Sequence, residues 1–185
     1  LPAPYWKVVG FGAVLTLARF SEAFLLLRAE QLGLAATWVP LILIVMNVCY
    51  AASAYPFGRL ADSMSRRTLL LLGVALLVAA DLVLAAAQNV WLVGAGALLW
   101  GLHMGASQGL LSTLVAAHCP EALRGTGFGV FHLVSGVALL LASVMAGALW
   151  STLGPAASFL AGAAFALVAG AGLMLDAKKN RPEGR

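Results

Sequence analysis

Long apolar runs alternate with short polar breaks along the whole chain. A helix needs about 20 largely apolar residues to cross the hydrocarbon core of a bilayer. Six runs meet that length: about Tyr5 to Leu27, Thr37 to Leu60, Thr68 to Ala87, Val90 to Ala117, Gly125 to Leu149 and Ala156 to Leu175. The breaks hold turn formers and charge: Arg28 to Ala36, Ala61 to Arg67, Gln88-Asn89, His118 to Arg124 and Ser151 to Pro155. No stretch alternates with period two, as a membrane barrel strand would. The pattern predicts an all-α, polytopic membrane protein of six transmembrane helices forming a single bundle over residues 1–185.

Composition narrows the class. Of 185 residues, 62% are hydrophobic and 10% charged, where a soluble domain is about 25% charged. Seven acidic and eleven basic side chains cannot cover a water-soluble globule, and the hydrophobicity is too high for disorder. Two cysteines do not make a disulfide framework. The opening Leu1-Pro2-Ala3-Pro4 reads as a linker, as expected of the back part of something longer.

The net charge of +4 is distributed unevenly. Lys7, Arg59, Arg66, Arg67, Arg124, Lys178, Lys179, Arg181 and Arg185 fall on one side of a six-span topology; the other side holds Arg28, accompanied by Glu30. Lys and Arg mark the cytoplasmic side. Both termini are therefore expected in the cytoplasm, with residues 176–185 a basic cytoplasmic tail and the chain in an inner membrane. These charges orient the protein against lipid and do not indicate nucleic acid.

A charge at the bilayer centre costs roughly 2.5–3.5 kcal/mol on insertion scales, so intramembrane polar residues need partners or a wet cavity. Arg19 and Glu22 are three apart in the first run and would share a helix face. At about 1.5 Å per residue from Lys7, they lie ~18 and ~22 Å deep, near the midplane where transporters bind substrates. They read either as cavity residues or as a mutually neutralising pair. Asp81, roughly 20 Å from the inner end of the third run, reads as a proton-carrying carboxylate, a partner for a distant base, or, preferred, a helix-end carboxylate reaching the outer surface.

In the fourth run, Gly101, Gly105 and Gly109 form two G-x-x-x-G steps that let a neighbouring backbone approach. His103 and Ser107 fall nearly opposite that stripe, with Trp100, Met104 and Gln108 nearby, a face suited to lining a cavity. His103 is a titratable switch or, preferred, a neutral hydrogen-bonded side chain. Asn47 with Tyr50, and His132 with Ser135, make similar polar pairs that interhelical hydrogen bonding would also explain. Cys49, Cys119 and the three histidines lack ligand spacing, so no metal is expected. No phosphate loop, nucleophile elbow or HExxH is present, so neither an enzyme nor a cofactor is indicated.

The connection between the second and third runs reads Gly58-Arg59-Leu60-Ala61-Asp62-Ser63-Met64-Ser65-Arg66-Arg67. Gly58 would allow close helix approach. Asp62 would cap the third helix and accept from Arg66 or a neighbouring donor, a cluster able to hold in one conformation and break in another; a simple topology anchor is the alternative. The stretch resembles the signature loop of the major facilitator superfamily, G-x-x-x-D-[RK]-x-G-[RK]-[RK], with Gly58, Asp62, Arg66 and Arg67 matching and Ser63 and Ser65 departing from it. Pro120-Glu121-Ala122-Leu123-Arg124-Gly125-Thr126-Gly127-Phe128-Gly129 is similar to the family's loop after the tenth helix, which adds Arg124 to the switch-loop set. Ala18-Arg19-Phe20-Ser21-Glu22-Ala23-Phe24 resembles its seventh helix.

The resemblance covers nearly the whole chain and implies the carboxyl-terminal half of a twelve-helix transporter. The six helices would form two inverted three-helix repeats, about 5–88 and 90–175. The first and fourth helices would line a midplane cavity holding Arg19, Glu22, Asn47, His103 and Gln108. Such proteins move a small molecule by alternating access, usually coupled to protons, with Glu22 a candidate carrier; efflux is one possible direction. The partner would be a second six-helix bundle, the other half or another copy. A non-transporting membrane sensor or assembly subunit is the competing reading.

Overall fold

The computed structural model describes residues 1–179, with side chains through Leu175. The basic residues Arg181 and Arg185, and the side chains of Lys178 and Lys179, lie outside that description. Among the described residues there are seven α-helices and no strand: α1 (Ala3–Ala18), α2 (Ala23–Gln31), α3 (Pro40–Ser63), α4 (Arg66–Ala85), α5 (Val90–His118), α6 (Arg124–Leu153) and α7 (Pro155–Lys179), with a short 3₁₀ turn at Glu121–Leu123 before α6. With α1 and α2 taken as one interrupted span, six helical segments are long and apolar enough to cross a membrane.

Local chemistry sets the ends. Asn89 starts α5 by accepting the amide of Leu92 at 3.0 Å, and Ser65 starts α4 by accepting the amide of Thr68 at 3.1 Å. Gly154, between α6 and α7, takes φ +90°, a conformation open to glycine at little cost. Prolines stand at the first positions of α3 and α7, where a missing N–H costs nothing.

The first three spans interleave with the last three. α5 lies at the centre, packed on α3 and α4, while α7 packs on α4 and α1, and α1 on α6. The buried core runs through the bundle from Tyr5 and Leu15 to Leu77, Trp100 and Phe159. α3 and α6 are the outliers: only 17% of the most apolar stretch of each is buried, against 50% for α5. Leu133, Leu140 and Val144 of α6 and Val48 and Tyr55 of α3 are all exposed.

The structure corrects the first span. It was expected as one helix, with Arg19 and Glu22 on a common face; instead α1 stops at Ala18, Phe20 and Ser21 are non-helical, and α2 resumes at Ala23. Two hydroxyls compete with the helical ladder. The Ser21 amide donates to Ser143 Oγ of α6 at 3.2 Å. The Ala23 amide lies 3.3 Å from Ser21 Oγ, which accepts from it.

Candidate functional site

The break opens onto a cleft of about 420 Å³, walled by Arg19, Phe20, Ser21, Glu22 and Trp100, with Leu43 of α3 and Leu139 of α6 at its sides. The two least buried helices thus flank it. Each wall residue is placed for a reason. Arg19 is the first residue past α1, and its amide still reaches the Thr16 carbonyl at 3.0 Å. Glu22 sits at the N-cap of α2, where the amide end of the helix favours a negative charge. Phe20 is held in an aromatic cluster, its ring 5.8 Å from Trp100, 5.5 Å from Phe159 and 5.2 Å from Phe24.

Among the described residues neither Arg19 nor Glu22 lies within ion-pair distance of an opposite charge, whereas Arg124 and Glu121 pair at 3.4 Å on the surface. Arg19 Nε and Trp100 Nε1 are buried without a hydrogen-bond partner. The cleft therefore carries donors (guanidinium and indole N–H), an acceptor carboxylate, a hydroxyl and aromatic faces. That set can hold a small polar molecule by hydrogen bonds and stacking.

The other predicted cavity residues lie elsewhere. His103 is fully buried against α4, its Nδ1 2.7 Å from the carbonyl oxygen of Gly73. Ser107 bonds back to the His103 carbonyl at 2.8 Å. Gln108 is half-buried and off the cleft, and Asn47 is exposed on α3, donating to its own Leu43 carbonyl at 2.8 Å. Asp81, expected at the outer surface, is fully buried, neither carboxylate oxygen having a partner. Trp100 was read as part of a polar-aromatic face. Phe20 and Ser21 entered only within the stretch that resembles the family's seventh helix, and Leu43 and Leu139 carried no signal, because only the break and the packing bring them together.

The glycine stripe divides. A Cβ at Gly101 would run into the Met46 carbonyl and Cys49 of α3, and one at Gly105 into Ser53, whereas Gly109 has open space. Gly109 instead joins Gly58, Asp62 and Arg66 around a groove of about 360 Å³. Two expectations for the loop are corrected here. A Cβ at Gly58 would meet no neighbour, so no helix approaches it. Ser65, not Asp62, caps α4, because its hydroxyl sits at the N-cap position itself. Arg67 reaches across to α7, donating to the Met174 carbonyl at 3.1 Å.

Comparison with known proteins points the same way. A family profile described as Major Facilitator Superfamily matches residues 8–185. An uncharacterized MFS-type transporter of Methanocaldococcus jannaschii is 30% identical over 179 residues, covering 92% of this chain and 44% of that protein. A human proton myo-inositol cotransporter is 38% identical over 105 residues, 57% of this chain and 16% of its own length. An uncharacterized protein of Mycobacterium bovis is 29% identical over 132 residues, 71% of this chain and 32% of its own. The chain spans less than half the length of these curated relatives.

Proposed function

The chain belongs to the Major Facilitator Superfamily, and on that premise we propose that it is one six-helix half of a proton-coupled secondary transporter for a small polar molecule. The observation that carries this reading is the interruption of the first span at Arg19–Glu22, which turns an unpaired guanidinium and carboxylate toward one cleft. Interrupted helices at midplane depth are a recurrent way of building substrate and ion sites in transporters.

In this reading Arg19, Ser21 and Trp100 bind the substrate and Glu22 carries the coupling proton. The exposed faces of α3 and α6 meet a second six-helix bundle, the other half of the transporter or a second copy, which completes the far wall of the cleft. The groove at Gly58, Asp62, Arg66 and Gly109, with Arg124 nearby in sequence to α6's start, belongs to the inner side and rearranges between states. The bundle lies in the inner membrane with both termini in the cytoplasm. Efflux follows if substrate leaves as protons enter down their gradient.

The test is proton movement in sealed proteoliposomes containing a pH-sensitive dye, with an imposed pH gradient and a panel of polyols, amino acids and organic cations as probes. Parent protein moves protons when one of these is added, and Glu22→Gln does not. Equal proton movement by the variant and the parent rejects the coupling role of Glu22. Absence of response to every probe, with a monodisperse single bundle in detergent, favours the sensor or assembly reading.

A further inference from the structure

We propose that Asp81 is a proton-binding site, separated from the cleft by the ring of Phe20. The inference rests on the carrier reading for its purpose, but the site itself is a property of the fold.

Asp81 lies on α4, one turn before its end, with no exposed surface and no hydrogen-bond partner on either carboxylate oxygen. A buried carboxylate left this way is costly, and such residues inside a membrane mark ion pathways by default. Its surroundings are specific. The point where a Cβ on Gly162 of α7 would stand is 2.9 Å from Asp81 Oδ2, 3.1 Å from the carbonyl oxygen of Ala18 and 3.0 Å from Phe20 Cε1. The carboxylate and the last carbonyl of α1 therefore flank one gap, kept by the glycine. Ala18 is among the four terminal carbonyls that a helix cannot satisfy internally, and the break frees it. A proton taken up on Asp81 forms an O–H bond, and the Ala18 carbonyl, which borders the same Gly162 position, is the candidate acceptor.

Phe20 connects this gap to the cleft. The ring touches the Gly162 position on one side and walls the cleft on the other. It rides on the two-residue segment that has left the helical ladder, so a shift of Phe20–Ser21 opens Asp81 to the cleft without unwinding a helix. The charged and titratable groups nearby on the packed elements are Arg19, Arg28 and His103, each with one ring or guanidinium nitrogen buried without a partner. His103 of α5 contacts the Gly73 carbonyl, Arg28 of α2 donates to the Ala87 carbonyl at 2.6 Å, and Arg19 follows Ala18. The described side chains of α7 include no titratable group.

Two measurements on the purified chain in liposomes test this, neither requiring a transported substrate. Infrared difference spectra between acid and alkaline pH should contain a carboxylic acid C=O band that is absent in Asp81→Asn and retained in Glu22→Gln. Should Asp81→Asn fail to fold, Gly162→Ala, whose methyl group would press on Asp81 Oδ2, Phe20 and the Ala18 carbonyl, should move the midpoint of the same band. In parallel, carbodiimides add a protonated carboxyl O–H across a C=N bond to give an O-acylisourea, whose acyl group then migrates from oxygen to nitrogen, leaving a stable N-acylurea that mass spectrometry can place. A membrane-soluble carbodiimide should modify Asp81 less as pH rises, regardless of sodium concentration. A water-soluble one should reach it roughly tenfold faster in Phe20→Ala, as for a group moved from a closed to an open state. An infrared difference unchanged by Asp81→Asn, or protection by sodium, overturns the proton site. Unchanged labelling in Phe20→Ala overturns the gate. Either failure is distinct from loss of the Glu22 effect, which is read in proton transport.

Discussion

The hydroxyl of Tyr5, in the first turn of α1, donates a 2.8 Å hydrogen bond to the carbonyl oxygen of Gly127, in the first turn of α6. The two residues are 122 positions apart, and Tyr5 is fully buried. The bond ties the ends of α1 and α6 that lie opposite the cleft, so the bundle is fastened where the basic residues cluster and open where Arg19 and Glu22 lie. Tyr5→Phe keeps the ring and removes this one bond to a carbonyl already in the α6 ladder, a loss of about 1 kcal/mol. Thermal unfolding in detergent should show a lower midpoint for Tyr5→Phe, while Tyr55→Phe, on the exposed face of α3, should not change it.

The three glycines of α5 should respond differently to side chains. Gly105 faces Ser53 without room for a Cβ, so Gly105→Val forces α3 and α5 apart, a cost of about 1–3 kcal/mol. Gly109→Ala meets open space and gains helix propensity of up to about 1 kcal/mol. Unfolding midpoints of the two variants should move in opposite directions. Equal destabilisation would mean that the groove beside Gly109 is closed in the membrane.

Ser65 and Asp62 separate stability from switching. Ser65→Ala removes the cap of α4 and should lower stability by about 1 kcal/mol. Asp62 is exposed and lines the groove with Arg66, so Asp62→Asn should leave the unfolding midpoint unchanged and alter the balance of states. That balance can be read from distances between spin labels on α3 and α6. Identical distance distributions would assign Asp62 to topology alone.

Most of the architecture was legible because one rule governs it. Twenty apolar residues between polar breaks span a bilayer, and all six runs became helical spans within a few residues of their expected ends. The interruption of the first run was not legible, because Ala18 to Ala23 has the residue pattern of a continuous helix. At the break the hydroxyl of Ser143, which the chain delivers from α6, accepts the Ser21 amide in place of a helical carbonyl. His103 shows the limit of reading one helix alone. Its position opposite Gly101 and Gly105 follows from the helical angle, but nothing in α5 says that the neighbour on that side is Gly73 of α4. Asp81 was misplaced because depth along a helix does not reveal what lies beside it; α7 passes against it at Gly162 and covers it.

Water at the helix break is the condition on which the carrier reading stands. Ala23→Cys, on the exposed first turn of α2 at the cleft, with Cys49 and Cys119 replaced by Ser, can be probed in intact proteoliposomes with a charged thiol reagent. Rapid modification of this position, with Leu167→Cys on the outer face of α7 unreactive, is the result expected of an aqueous crevice. If both positions resist the charged reagent and react only with a lipid-soluble one, Arg19 and Glu22 border lipid, and no carrier of this design exists.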